Sequence, residues 1–292
     1  MNFDDLVERK LVVKKEYGNG LSVYKYNRNV FYNNLWNADP RLLEARGVVL
    51  DAEGNKIIYP FTKVFNYKEN GTTLSLDTKV IAPMKVNGFM AAVAWYNDEL
   101  LVSTTGTLDS DFATLARNVI EWQIDKNVIQ LNHTYIFEIC DPSDPHIIEE
   151  QSGAYLIGIR NMETGGMFTE EMLDHEACVI GAHRPYVFVC TFGDVIELSK
   201  RCQHEGFMVR LDNEEQTTVM KLKSPYYLTK KFLMRMGAGK TELMVTNPTK
   251  FKESIDEEYY PLVDFISVNY RQTWFGMTDQ ERRKVIEDFF NS

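Results

Sequence analysis

The sequence predicts an α+β fold, a sheet-rich body followed by a small helical C-terminal domain, and three observations carry that expectation. Across the first two-thirds, short segments alternate apolar and polar residues, with β-branched and aromatic side chains on the apolar side and Gly, Asn or Asp at the breaks. After Lys223 the apolar period changes to that of a helix. The 292 residues, 44% hydrophobic and 25% charged, have the composition of an ordinary folded chain with room for a sizeable core. Disorder, collagen and low-complexity architectures are excluded.

Taken in order, strands are expected at 21–26, 56–59, 80–84, 89–96, 99–104 and 134–139. A helix interrupts them at 110–124, where Phe112, Leu115, Ala116, Val119 and Ile120 share one face. A second is expected around 194–202. The tail reads as helices at 226–236 and 250–270, then a last one announced by Thr278-Asp279-Gln280-Glu281, which fits a capping box. Thr246-Asn247-Pro248 is the candidate linker. The division expected is 1–240 for the body and 241–292 for the helical domain.

The opening MNFDDLVERK places acids where a secretion signal needs positive charge, and no apolar run approaches the ~20 residues that cross a bilayer. A soluble chain in the cytoplasm, without membrane contact, is therefore expected. Cys140, Cys178, Cys190 and Cys202 form no CxxC pair, so core thiols are expected rather than a zinc site or a disulfide framework. His133, His146, His175, His183 and His204 show no ligand spacing and read as structural.

The net charge of −10 argues against a phosphate-rich partner, but its distribution does not. Residues 221–240 hold Lys221, Lys223, Lys230, Lys231, Arg235 and Lys240 and no acid. Such a stripe suits a protein that handles phosphates at one place, or else one solvated helix face. Gly237-Ala238-Gly239-Lys240-Thr241 resembles the end of a phosphate-binding P-loop, yet Met234 stands where the pattern needs glycine and a helix precedes it instead of a strand. A helix C-cap with a left-handed glycine is the simpler expectation.

Lys85-Val86-Asn87-Gly88 lies between two expected strands. The glycine permits close approach of backbone to a ligand. A lysine attacks phosphorus or carbonyl carbon only when neutral, so its pKa has to fall from about 10.4 through burial or neighbouring cations. Lys221 and Lys223 are the candidate cations. A surface hairpin lysine is the plain alternative.

Order along the chain adds to this. Glu44-Ala45-Arg46-Gly47-Val48-Val49-Leu50 and Pro60-Phe61-Thr62-Lys63-Val64-Phe65-Asn66 come before the KxNG; Tyr135-Ile136-Phe137-Glu138-Ile139, Ile157-Gly158-Ile159-Arg160-Asn161, Glu205-Gly206-Phe207-Met208-Val209 and Met220-Lys221-Leu222-Lys223-Ser224 come after. From Arg46 to Tyr227 the series resembles the covalent nucleotidyltransferase superfamily of ligases and capping enzymes. Within it, the chain is most similar to the phage-type ATP-dependent RNA ligase 1 family, the tRNA-repair ligases of T-even phages. The resemblance implies an antiparallel-sheet adenylyltransferase core, ATP and Mg²⁺ or Mn²⁺ as cofactors, and RNA as partner, either single-stranded ends or nicked tRNA. It also implies a monomer working in the bacterial or phage-infected cytosol, in RNA repair. The short tail gives no ground for tRNA specificity.

Residue by residue, the resemblance assigns catalysis to Lys85, Lys221 and Lys223. Lys85 would take AMP from ATP as a phosphoramidate, and Lys221 and Lys223, on one face of a strand, would neutralise the α-phosphate. It assigns the nucleotide to Arg46, Lys63, Met84, Lys85, Gly88, Glu138, Glu205, Lys221 and Lys223, and the metal to Glu138, Glu205 and Asn87, directly or through water. Asn87 replaces the aspartate more often seen there, so one negative charge is missing from that set. Phe65 and Tyr155 could stack on adenine, although an aromatic in a strand is more often core. The aromatics Tyr259, Tyr260, Phe265, Tyr270, Trp274 and Phe275 suit helix packing better than an RNA surface. A DNA ligase or GTP-using capping enzyme is the alternative within this chemistry, but those carry an OB-fold after the last motif and the 69 residues after Lys223 read as helices. A non-catalytic RNA-binding module on the same fold is the other.

Overall fold

The computed structural model describes every residue except 145 and 235. Strands β1 (Val12–Glu16), β2 (Ser22–Tyr26), β3 (Arg46–Leu50) and β4 (Lys56–Ile58) form an antiparallel sheet in chain order. Short helices α1 (Asp4–Glu8) and α2 (Arg28–Tyr32) pack Leu6 and Val30 against its Val48 and Leu50. Next come β5 (Phe65–Asn66), β6 (Lys79–Pro83), β7 (Phe89–Tyr96), β8 (Glu99–Thr104), helix α3 (Asp111–Gln123), β9 (His133–Cys140) and β10 (Gly153–Asn161). Helix α4 (Glu170–Ile180), β11 (Val187–Thr191), helix α5 (Phe192–Arg201), β12 (Gly206–Leu211) and β13 (Thr218–Lys223) complete the body.

These strands build two more sheets, one in the order β10-β9-β7-β8 and one in the order β11-β6-β12-β13-β5. All pairings are antiparallel except β13 with β5. Ala116 and Ile120 of α3 and Leu173, Ala177 and Ile180 of α4 cover Val93, Tyr135, Phe137 and Leu156 of the first of them. Val195 of α5 packs with Val80, Phe207, Val209, Met220 and Leu222 of the second. Side-chain oxygens start these helices as the sequence suggests: Ser110 accepts from Ala113 N–H at 3.1 Å, and Thr191 forms a capping box with Asp194.

The chain passes from one of these sheets to the other at Lys85-Val86-Asn87-Gly88, between β6 and β7. Two glycines make the passage tight. A Cβ on Gly88 would lie 2.2 Å from the Ile139 carbonyl oxygen, and one on Gly206, at φ +137°, would lie 2.1 Å from that of Leu222. No side chain fits against backbone at that range. The Lys85 N–H donates to Gly206 O at 2.8 Å, which pins the lysine to the start of β12.

The tail holds α6 (Pro225–Met234), α7 (Ala238–Thr246), α8 (Pro248–Lys252), α9 (Tyr260–Asn269) and α10 (Asp279–Asn291). Thr278 and Glu281 form the expected capping box. The single helix expected over 250–270 is instead α8 and α9, separated by residues 253–256 and a 3₁₀ turn, Glu257–Tyr259, with a proline in the first turn of α9. The expected left-handed glycine C-cap is also corrected, because Gly237 has φ −87° and ψ 169° and stands at the N-cap of α7. The element before it among the described residues is helix α6, in agreement with the rejection of a P-loop. Residue 240 falls inside α7. Tyr227, Leu228 and Phe232 of α6 share one core with Met244, Phe251, Leu262 and Ile286. Tyr259 and Trp274 are core residues, as expected, whereas Phe275 is half exposed. The cysteines are free, and Cys178 is exposed on α4, unlike the core thiol expected. No helix among the described residues is long and apolar enough to cross a membrane.

Candidate active site

Strand β13 alternates as its sequence requires. Met220 and Leu222 enter the core while Lys221 and Lys223 leave by the other face. That face borders a cavity of about 300 Å³, whose polar lining includes Arg46 from the start of β3, Lys85, Glu138 from β9, Glu205 and Lys221. Phe61, Met90, Ile157 and Met208 give it apolar walls. Residues more than 170 positions apart in the chain thus meet around one opening.

Lys85 Nζ lies 3.0 Å from Glu205 Oε2 and its side chain is 21% exposed. Burial alone would lower the pKa of this amine, but the charges of Glu205 and Glu138 outweigh it and raise the pKa above the usual lysine value. The depressed lysine expected at position 85 is therefore found elsewhere. Lys221 is held well below the ordinary value, by burial first and then by the charges of Lys223, Lys63, Arg46 and Lys85. Lys221 has no ion pair among the described residues, and the Nε of Arg46 is buried without a hydrogen-bond partner. Two uncompensated cations beside an open cavity make an anion site.

The carboxylates are placed with equal economy. Glu205 Oε2 also accepts from Asn87 Nδ2 at 2.7 Å, and Glu138 Oε1 accepts from Gly88 N–H at 3.2 Å. Burial, and then the charge of Glu205, push the Glu138 carboxyl up against the opposing pull of Lys85. Asn87 Oδ1 is committed to Ile148 N–H at 2.9 Å, so the amide orients Glu205 while its own oxygen is engaged elsewhere. Among the described residues, no three His, Cys, Asp or Glu side chains converge to hold a metal on their own. Two carboxylates facing a cavity fit a Mg²⁺-like ion that also takes waters and substrate phosphate oxygens.

Not every expected residue faces the cavity. Lys63 is 5% exposed, ion-paired with Glu69 at 3.5 Å and Glu257 at 3.6 Å, and walled by the rings of Trp36 and Phe65. Lys223 contacts Glu258 and still lines the cavity beside Lys221, and Met84 joins the lining beside Lys85. Phe65 packs edge-on against Trp36, and Tyr155 lies against His183. Phe61 is the aromatic that lines the cavity. It sits in the 60–66 segment already set apart, but an aromatic there reads as core. Glu150, which accepts from Asn87 N–H at 3.1 Å, and Glu258, inside the helix expected over 250–270, carried no sequence signal beyond belonging to an acidic pair.

The unpaired state of Lys221 has a measurable consequence. Replacing Lys221 by methionine is expected to raise the melting temperature of the empty protein by about 2–3 °C, for about 1 kcal/mol, because a buried cation without an anion is removed. The sign in pH follows from the depressed folded value: below 10.5 the unfolded chain binds a proton that the folded chain resists, so the wild-type penalty grows as pH falls and the gain from the substitution grows with it. Calorimetry without ligand checks this, and a lower melting temperature would refute it.

The RNA ligase family model matches residues 44–232, well over half of the chain. Among solved structures, a putative ATP-dependent DNA ligase from Aquifex aeolicus is similar at 15% identity with a TM-score of 0.62, covering 98% of this chain and 76% of that one. An archaeal ATP-dependent RNA ligase is similar at 12% identity with a TM-score of 0.61, covering 96% of this chain and 72% of that one. At such identities the likeness is one of fold. No curated protein matches the chain.

Proposed function

The chain belongs to the RNA ligase family, and from that premise we propose that it is an ATP-dependent ligase that adenylylates Lys85, transfers AMP to an RNA 5′-phosphate and seals that end to a 3′-OH. The observation that supports this reading best is the meeting of Lys85, Glu138, Glu205, Lys221 and Arg46 at one cavity with apolar walls suited to a base.

In the first step the Lys85 amine forms a P–N bond to the α-phosphorus as the α–β anhydride bond breaks and pyrophosphate leaves with the electron pair. Lys221 and Arg46 meet the charge that builds on the α-phosphate. Glu138 and Glu205 serve twice. In the protein without metal they hold the amine protonated and pointed; they would also hold a divalent cation, which would supply positive charge toward the phosphates. Burial and the neighbouring Lys221 oppose the two carboxylates and favour the neutral, nucleophilic form of the amine. Asn87 keeps Glu205 in place throughout. Phe61, Met90 and Ile157 offer the adenine an apolar slot. Residues up to Ser224 act as the adenylyltransferase body and the helices from Pro225 as a separate unit, and the reading takes Mg²⁺ or Mn²⁺ as the metal and a monomer as the working form.

The test is to incubate the protein with α-labelled ATP and Mg²⁺. Label that precipitates with the protein, survives alkali and is released by warm acid, as a P–N bond at Lys85 requires, is expected; no uptake, or uptake from GTP in preference, overturns the ATP-ligase reading.

A further inference from the structure

Of the two lysines on the outer face of β13, Lys221 has no ion pair among the described residues. Lys223 has one. Glu258 stands on the 3₁₀ turn that leads into α9, its side chain 7% exposed, and each carboxylate oxygen takes a different lysine: Oε2 contacts Lys223 Nζ, and Oε1 lies 2.9 Å from Nζ of Lys231 on α6. Lys231 also reaches Asp256 at 2.7 Å, and the adjoining Glu257 lies 3.6 Å from Lys63. One acidic turn of the helical tail thus covers three lysines that converge from three different elements.

A carboxylate whose two oxygens each take one ammonium has the shape and charge of a bound phosphate's oxygen pair. The same turn forms a wall of a second cavity, of about 620 Å³, which Lys221 and Lys223 border as they border the first, so Glu258 holds a lysine on the side of the second cavity. Buried lysines require an anion, but they do not distinguish carboxylate from phosphate. We propose that Lys223 and Lys231, with Lys63 beside them, form a second phosphate-binding site, and that Glu258 is its internal occupant, displaced when a substrate phosphate arrives. The helical unit then supplies the occupant of this site, since Glu258 stands on the turn that leads into α9. The inference rests on the ligase reading only for phosphate as the ligand. Two phosphates of that reaction qualify: the departing pyrophosphate and the RNA 5′-phosphate.

Binding of inorganic pyrophosphate, and of one oligoribonucleotide with a 5′-phosphate or a 5′-hydroxyl, is measured by calorimetry without metal or turnover. A site occupied by its own anion binds ligand more weakly by the fraction of time it is open, so Glu258→Gln is expected to tighten binding ~10-fold or more. Tightening for pyrophosphate alone assigns the site to the leaving group. Tightening for the 5′-phosphorylated strand over its 5′-hydroxyl twin assigns it to the RNA end. The double variant Glu258→Gln/Lys231→Gln, which removes one charge of each sign and guards against misfolding of the single variant, is expected to lose the gain. In the wild-type protein, saturating ligand is expected to speed amide exchange across residues 256–259. Unchanged or weaker binding in folded Glu258→Gln, a gain that survives the loss of Lys231, or slower exchange at 256–259 overturns the proposal. Labelling of Lys85 by ATP is read separately, so either conclusion can fail without the other.

Discussion

Replacing Lys85 by alanine is expected to abolish covalent uptake of nucleotide, a loss of ~10⁴-fold or more, because the amine that forms the proposed P–N bond is removed. Arginine at the same position should be equally inactive: a guanidinium keeps the positive charge beside Glu205 but does not deprotonate. The pair of variants separates nucleophile from cation. An RNA supplied with AMP already on its 5′ end bypasses the missing bond, so sealing of that substrate should persist in both variants if the rest of the site stands. Failure on the pre-activated RNA together with a cooperative melt near the wild-type temperature would show that Lys85 does more than carry AMP. Full labelling of Lys85→Ala would remove the mechanism.

Glu205→Gln is expected to slow labelling ~10²-fold near neutral pH, and the size reflects two opposed effects. Losing one carboxylate of the proposed metal pair costs about 3–4 kcal/mol of transition-state stabilisation, the range found for deleting a well-placed electrostatic group. Against it, the charge that raises the Lys85 pKa disappears, and each unit by which that pKa falls returns about 1.4 kcal/mol below the titration midpoint. The loss dominates, but the balance leaves a signature in pH. At limiting metal, wild-type labelling should climb about tenfold per pH unit as the amine deprotonates, and the variant should reach its plateau at lower pH. A plateau at the same pH in both proteins would mean that Glu205 does not govern the amine. The stability sign is opposite to that of Lys221: the Lys85–Glu205 pairing contributes fully below 10.5 and is lost as pH rises through the elevated folded value.

The contrast between these two lysines marks the reach of sequence reasoning. A pattern of period two placed Lys221 and Lys223 on one face, and a glycine after Lys85 pointed to a close backbone approach, because strand periodicity and steric allowance are local properties. Which lysine is paired is not local. The partner of Lys223 stands 35 residues away on a turn of the tail, and that of Lys85 lies 120 residues ahead of it. The expectation of a depressed pKa at Lys85 failed for this reason, since it counted the cations and left out the carboxylates that sit nearer. Phe61 and Asn87 follow the same logic, one recognisable as aromatic but not as a cavity wall, the other as an amide but not as the clamp on Glu205.

By itself the sequence determined the class of fold, the order of the motif segments and the capping box of the last helix, and it singled out Lys85 as the candidate amine, all of which depend on neighbours within a few residues or on a series read along the chain. Only the tertiary structure decided which charges meet: Glu205 with Lys85, Glu258 with Lys223 and Lys231, and no ion-pair partner for Lys221 among the described residues. Electrostatic energy depends on distance and burial in space, and neither is encoded in any short stretch of the chain.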